Sequence, residues 1–322
     1  MIGYIIRRIL IAVPLLLVMT MVTFFLMHLT PGNYFDTLKL NPQISQDVMK
    51  RYERLYHLDQ PLIQQYFHWL VNLVTRGELG YSFYYNIPVK DIIGGRIWNT
   101  FVLSLASLLM TWLLAIPLGV WAAVRHNRAT DRVLALFSFV GLSTPSFFLA
   151  IVLLYTVSLW GGLPLGGMHS ANYDELSAWG SLIDLIKHLV IPTIVLSLGS
   201  IAGLQRIMRG NMLGVLRQQY ILTARAKGIP EHRVIYIHAL RNAINPMITI
   251  LGYEFSGLLS GAAITEIICN WPGLGSLMLT AMRAKDAYLV MASMVMGGVL
   301  LLLGNLLADI LLAFSDPRIR YE

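Results

Sequence analysis

Six long apolar runs, separated by polar stretches, set the hydropathy pattern of the chain: Ile9 to Leu29, Phe101 to Val124, Val133 to Trp160, Leu189 to Met208, Met247 to Cys269 and Tyr288 to Phe314. A hydrocarbon core ~30 Å thick is crossed by roughly 20 apolar helical residues, so each run reads as a transmembrane helix. The fourth is the weakest, because Arg206 and Arg209 end it and Gly199 and Gly203 sit inside it. Pro14, Pro117, Pro145 and Pro192 fall in or at the ends of spans. Membrane helices tolerate them where neighbours re-satisfy the freed carbonyls, as kinks that need not be hinges.

The first run opens on "MIGYIIRRIL", the basic start of a secretion signal. It is longer than the roughly 7–15 apolar residues of such a signal and no small-x-small cleavage site follows, so it reads as a retained span over residues 1–30. Residues 31–95 then form a polar segment. "SQDVMKRYERLYHLDQPLIQQYFHWLVNLV" carries apolar residues at helical spacing, from Val48 through Leu55 and Leu62 to Trp69, which predicts two short helices broken at Asp59 to Pro61. "RGELGYSFYYNIPV" reads as a loop at a membrane interface. Residues 96–314 hold the other five spans and 315–322 a tail.

One polar insert stands out, from Arg217 to Pro246 within a basic loop over about 209–245. Met212, Leu213, Leu216, Tyr220 and Ala224 recur at three and four residues, which predicts a helix with one apolar stripe. Gly228 suits the left-handed residue that ends it, and Pro230 blocks its continuation. Pro230 fits the first turn of a second helix with Val234, Ile237 and Leu240 as its stripe, and Pro246 opens the fifth span. The pattern predicts two short helices about a glycine elbow.

Composition places the chain firmly among membrane proteins. Hydrophobic residues make up 56% and charged residues 13%, against about 25% charged in a soluble chain. The net charge of +7 then reads as cytosolic positive charge rather than a nucleic-acid surface. Placing Arg7, Arg8, the Arg125 to Arg132 turn, the Arg206 to Arg241 segment, Arg318 and Arg320 on one side gathers fourteen basic residues and four acids there. Among short loops the opposite side holds three basic residues. Both termini are therefore expected in the cytoplasm and residues 31–95 outside it.

A search for catalytic chemistry returns little: no GxxxxGK[ST] phosphate loop, no HExxH, no GxSxG, no Cys/His cluster of ligand spacing. Cys269 is the single cysteine, which excludes an intrachain disulfide and reads as a small apolar filler. His28 and His188 read as interfacial residues rather than ligands. Of the intramembrane carboxylates, Glu254 lies about 12 Å into the fifth span from Pro246 and is expected to face the bundle interior or water, lining or gating a pathway. Glu266, near the outer end, is expected to reach the interface, and Asp309 to pair with Arg206 or Arg209. "WPGLG", from Trp271, Pro272 and Gly273 to Gly275, predicts a tight turn in which the glycines take positive φ. It reads either as an interfacial turn anchored by Trp271 or as a loop at the mouth of a pathway.

"YILTARAKG" followed by "HALRNAINP" resembles the cytoplasmic EAA loop of the inner-membrane permease subunits of bacterial ABC importers, in the peptide and nickel class. Anchored on Gly228, the positions of the general pattern E-A-A, three residues, G, nine residues, I-x-L-P hold Leu222, Thr223 and Ala224, then His238, Leu240 and Arg241; Ala224, Gly228 and Leu240 match it. "ITEIICNWPGLG", "NLLADILLAFSDPRIR", "RRIL", "LTPG" and "GELGYS" are also similar to this family, to the B-type subunits of peptide permeases in particular. The likeness covers essentially the whole chain.

The resemblance implies an all-α polytopic fold of six transmembrane helices, with a cytoplasmic coupling helix and an extracytoplasmic segment between helices 1 and 2, in the bacterial inner membrane. It implies that the chain pairs with a second homologous permease subunit, binds two cytoplasmic ABC ATPases and receives solute from an extracytoplasmic binding protein. ATP and Mg would be used by those ATPases, with no cofactor or metal and no catalysis on this chain. Tyr220, Thr223, Ala224, Arg225, Ala226, Lys227, Gly228, Leu240 and Arg241 are the expected ATPase-docking residues; small side chains at Ala224, Ala226 and Gly228 would allow close approach. The bottom-up alternative for this insert is an amphipathic helix on anionic headgroups. Glu254, Glu266, Trp271, Pro272 and Gly273 are the expected path or gate residues. The expected solutes are di- or oligopeptides, with nickel chelate, glutathione or another small solute as the alternative. An ion-coupled carrier, the more distant reading, would place charge at mid-membrane in several spans, whereas here such charge is almost confined to Glu254.

Overall fold

A computed structural model describes residues 2–29 and 60–315. The predicted helix around Val48 to Leu55, the "LTPG" motif beyond Leu29 and the tail 316–322 lie outside the described residues, as does the side chain of Asp309. Among the described residues the regular structure is helical apart from one small hairpin. The elements are α1 (Ile2–Leu29), α2 (Leu62–Arg76), β1 (Tyr81–Ser82), β2 (Ile87–Pro88), α3 (Val89–Val124), α4 (Ala129–Ser143), α5 (Ser146–Trp160), α6 (Ala178–Leu216), α7 (Gln219–Ala226), α8 (Glu231–Arg233), a π-helical turn (Val234–Ala239), α9 (Leu240–Ala243), α10 (Asn245–Ile268), α11 (Leu274–Arg283) and α12 (Ala287–Ser315). Two compact units emerge, named for their place in the sequence: a central one built on Phe101–Trp271 and the chain from Leu301, and a flanking one built on Ile2–Thr100 and Pro272–Leu300.

Among the described residues, Leu10–Leu29, Val89–Val124, Ala178–Leu216 and Ala287–Leu306 are long and apolar enough to cross a membrane. The expected third span is not one helix. The chain breaks between α4 and α5, which meet at 102°. Pro145 is the reason: it lacks an N–H, and its ring pushes Thr144 out of the helical region, to φ −85° and ψ 115°. Pro14, Pro117 and Pro192, by contrast, sit inside unbroken helices. The helix itself does not end at Arg206 and Arg209, where the fourth span was expected to stop; α6 runs on to Leu216.

In the central unit, α3, α4 and α6 pack closely. The Cβ that Gly119 lacks would lie 2.6 Å from the Cβ of Met208, so that crossing of α3 and α6 requires glycine. The hydroxyl of Ser138 donates to Gln205 Oε1 between α4 and α6. Cys269 is buried beside Ala150, Ile191 and Val195, in keeping with a filler role. His188, expected at an interface, is instead buried, its Nδ1 2.8 Å from the carbonyl of Asp184.

The flanking unit holds α2 where the pattern predicts it, starting after Pro61 and stopped by Gly77 at φ 67°. "GELGYSFYYN" is more than a loop. Tyr81 pairs with Pro88 and Ser82 with Ile87 in an antiparallel hairpin closed through Asn86 at φ 57°. Asp286, fully buried, fastens the hairpin to the start of α12. Its Oδ2 accepts from the Ser82 hydroxyl at 2.7 Å and from the Tyr84 amide at 3.2 Å, while Oδ1 accepts from the Leu289 amide at 3.2 Å.

Candidate functional site

The basic insert of the central unit folds onto the ends of the long helices. The stripe read as one helix from Met212 to Ala224 is divided: α6 ends at Leu216, Arg217 and Gln218 form a link, and α7 is an eight-residue helix. Its Ile221 and Ala224 point inward, joining Val120 and Ala123 of α3, Met208 and Met212 of α6, and Val234, Ile235, Ala239, Ala243 and Met247 in one apolar core. This burial holds the insert in place.

The elbow forms at Gly228 with φ 73°. The Ile229 amide donates to the Ala224 carbonyl at 3.3 Å and the Gly228 amide to Arg225 at 2.9 Å, the paired bonds that close a helix through a left-handed residue. Arg225 and Glu231 then bridge the elbow, with Nη2 to Oε1 at 2.6 Å and Nε to Oε2 at 3.1 Å. The Arg225 guanidinium holds the Glu231 carboxyl below its usual range. Pro230 caps the following helix rather than entering its first turn. Beyond it the expected stripe of Val234, Ile237 and Leu240 is displaced. A π-helical turn over Val234–Ala239 brings Val234, Ile235 and Ala239 inside and leaves Tyr236 and Ile237 exposed, because a wider turn spaces inward positions further apart. Pro246 does open α10.

The expected docking residues therefore separate by face. Tyr220, Thr223, Arg225, Ala226, Lys227, Gly228 and Arg241 are exposed, with Leu222, Tyr236 and Ile237 among them. Ala224 is buried in the chain's own core, and Leu240 is half-buried against the same core. Ala224 is thus a packing residue here, not a surface of close approach. Asn242 fixes Tyr220 by donating to its hydroxyl at 3.0 Å.

The expected pathway residues differ in burial and in local structure. Glu254 is half-buried on α10. Glu266, expected to reach an interface, is fully buried. Trp271 is fully buried too, so it does not serve as an interfacial anchor. Gly273 has φ −99° and caps α11, and Gly275 lies within that helix; the left-handed residue of this turn is Asn270, at φ 49°. The bonds are again those of a left-handed helix end, from the Trp271 amide to the Glu266 carbonyl at 2.7 Å and from Asn270 to Ile267 at 3.3 Å. Pro272 offers its carbonyl to Asn99 Nδ2 at 2.8 Å.

Sequence reasoning missed the cation–carboxylate tie that secures α6. Arg209 donates from Nε to Asp131 Oδ1 at 2.6 Å and from Nη2 to Oδ2 at 2.8 Å, with the Asn127 amide on Oδ2 at 2.9 Å and His126 Nδ1 3.2 Å from Nη2. Asp131 is the observed partner of Arg209; the expected pairing of Asp309 lies outside the described residues. Its signal was present in "RATDR", an acid in the first turn of a helix after a short basic turn.

With this geometry in view, comparison with known proteins decides the family. The sequence profile of the binding-protein-dependent transport system inner membrane component matches residues 115–321, and the profile of the N-terminal part of such membrane components matches residues 1–106. The chain belongs to this family. The inner membrane component is 40% identical over 323 residues to the oligopeptide transport system permease protein AppB of Bacillus subtilis, covering 100% of both chains. It is 33% identical over 339 residues to the dipeptide transport system permease protein DppB of Escherichia coli K12, again covering 100% of each. Its fold matches a chain in a solved structure of inward facing conformations of the MetNI methionine ABC transporter, with a TM-score of 0.56 at 15% identity over 70% of this chain and 96% of that one.

Proposed function

We propose that the chain is the B-type permease subunit of an ATP-driven ABC importer and forms half of the translocation path for di- or oligopeptides. The observation that carries this reading is full-length similarity to permease proteins whose names specify oligopeptide and dipeptide transport. The described geometry supports it with a short exposed helix held rigidly on the long ones.

In this reading α1, α3, the bent pair α4–α5, α6, α10 and α12 are six spans, and both termini are cytoplasmic. A second homologous permease completes the path, an extracytoplasmic binding protein delivers solute, and two ATPases using Mg and ATP dock on the insert. The docking face is Tyr220, Leu222, Thr223, Arg225, Ala226, Lys227, Tyr236, Ile237 and Arg241, an apolar patch rimmed by basic charge that suits recognition of an acidic-rimmed groove. Because Ile221, Ala224 and Val234 share a core with Met208 and Met212, a push on α7 moves the ends of α6 and α10 as one body, converting ATPase closure into alternating access. Glu254 is the proposed polar lining.

The test is transport in the assembled complex. The chain should copurify with an ATPase, and peptide uptake should collapse when ATP is depleted while the proton gradient is maintained. Uptake that survives ATP depletion overturns the reading. Gly228→Asp should leave membrane insertion intact and abolish ATP-driven uptake; normal uptake would move the docking site elsewhere.

A further inference from the structure

Helix α2 is amphipathic, and it is oriented opposite to a helix on a water-soluble protein. Ile63, Phe67, Val71 and Val74 form one stripe of its surface, and all four are exposed, at 60%, 55%, 55% and 76%. On another face Gln65, His68 and Asn72 line a cavity of about 370 Å³ together with Trp69, Glu78 and Lys90. A helix bathed in water would turn its polar stripe outward and its apolar stripe toward protein. Here the polar side looks into a cavity and the apolar side looks out.

The position of α2 within the flanking unit explains why. Its Tyr66 hydroxyl donates to the Leu17 carbonyl at 3.1 Å and lies 3.0 Å from Thr20 Oγ1. Both residues belong to the apolar run Leu10–Leu29 of α1. Thr20 lies about 14 Å along that helix from Leu29, at 1.5 Å per residue. Phe24, Tyr66, Trp69, Met291 and Val295 then form a shared core of α1, α2 and α12. So α2 is fastened beside the apolar run of α1, whose own Leu15, Val18, Val22 and Leu26 are exposed.

We infer that α2 is embedded in the outer leaflet of the bilayer, with Ile63, Phe67, Val71 and Val74 against acyl chains and the polar cavity behind it. The segment between the first two spans is then partly a membrane element. This inference rests on the proposed topology, which makes the Leu29 end of α1 the outer end. Lipid is the occupant that fits because Tyr66 ties α2 to Leu17 and Thr20, within the apolar run of α1, so that the exposed stripe of α2 is held beside a helix long and apolar enough to cross the bilayer, and because interfacial helices of this kind bury their apolar face ~5–10 Å into the headgroup and acyl boundary.

The chain contains one cysteine, which makes the test direct. Nitroxides are placed singly at Ile63→Cys, Phe67→Cys, Val71→Cys, Val74→Cys and Gln64→Cys in a Cys269→Ala background. The assembled transporter, with partner subunits free of reactive cysteines, is reconstituted in liposomes. Collision rates with oxygen and with a water-soluble nickel chelate are measured, with Val18→Cys as the lipid reference and Asp174→Cys as the water reference. The expected result is an oxygen-to-nickel ratio several-fold higher at Phe67 and Val71 than at Gln64, approaching that of Val18. Nickel access at Phe67 and Val71 equal to that at Asp174 overturns the inference in favour of a water-exposed stripe. Protection from both reagents overturns it in favour of a protein cover. If Val18 itself is water-accessible, the proposed topology fails along with it.

Discussion

Two buried aspartates, one in each unit, fix turns at the ends of long helices by different chemistry. Asp131 is 4% exposed and meets a guanidinium; Asp286 is 0% exposed and is held by the Ser82 hydroxyl and the Tyr84 and Leu289 amides. A carboxylate opposed by a cation retains its charge, and removing the cation strands it. A carboxyl held by neutral donors in a dry site is pushed toward protonation: burial raises the pKa of Asp286 above its ordinary value of 3.8, against the opposing pull of its hydrogen bonds. The two sites should therefore respond differently to mutation and to pH.

The largest effect is expected at the charged site. Arg209→Ala leaves the Asp131 carboxylate buried without its cation, a change that costs about 3–5 kcal/mol. Asp131→Ala leaves Arg209, whose side chain is 28% exposed, able to reach solvent, so it should cost distinctly less. Thermal unfolding of the purified complex carrying each variant checks the order; equal losses would show that the tie is not what secures α6.

Asp286→Ala comes next. It strands the buried Ser82 hydroxyl and two amides, and one unsatisfied buried group costs about 1–3 kcal/mol. The pH response separates this site further. A raised carboxyl pKa gives a contribution that is complete below the ordinary value of 3.8 and is lost as pH rises through the folded value. Asp286→Asn, which cannot ionise, should remove that component. The unfolding temperature of the parent should therefore fall relative to that of the variant as pH rises from acid toward neutral. A parent that instead gains stability relative to the variant over that range would mean the carboxylate form is the favoured one.

Neither site was fully legible in the sequence, for a physical reason that the long helices do not share. A transmembrane helix announces itself through local composition, so α1, α3 and α12 could be read from hydropathy alone. The contacts of Asp131 and Asp286 join residues 78 and 204 positions apart, and no local period encodes such a pairing. The break at Pro145 was visible as a proline, but Pro117 and Pro192 are prolines too and leave their helices whole; packing decides between them. At the candidate docking site Gly228 was legible, because only its backbone mattered. The inward turn of Ala224 and outward turn of Ile237 were not, because a link at Arg217 and Gln218 and a π-helical turn shift the helical phase.

Gly228→Ala is expected to have a smaller effect than either aspartate change, because a Cβ there meets nothing within 4 Å. Only the left-handed backbone is strained, at about 1 kcal/mol. Ala226, Lys227 and Gly228 are exposed, so a loss of ATP-driven uptake far greater than this small loss of stability would locate the ATPase contact at the elbow. Loss of uptake in proportion to loss of folded protein would instead assign Gly228 a purely structural role.

The smallest effect is expected at Arg225 and Glu231, which have the same charge pairing as Asp131 and Arg209 but lie in water, with side chains 39% and 55% exposed. Exposed pairs contribute ~0–1 kcal/mol, and Glu231→Gln should fall in that range. The pH sign is opposite to that at Asp286. Because Arg225 lowers the Glu231 pKa below its ordinary value of 4.5, the tie is intact above that value and is lost as pH falls through the folded one. Hydrogen exchange at the Gly228 and Ile229 amides should therefore quicken, relative to its intrinsic rate, on acidification below about pH 4.5 in the parent and show no such change in Glu231→Gln. An equal response in both would show that the elbow is held by its backbone bonds alone, leaving solvent exposure, rather than charge pairing, as the reason the Asp131 tie matters and this one does not.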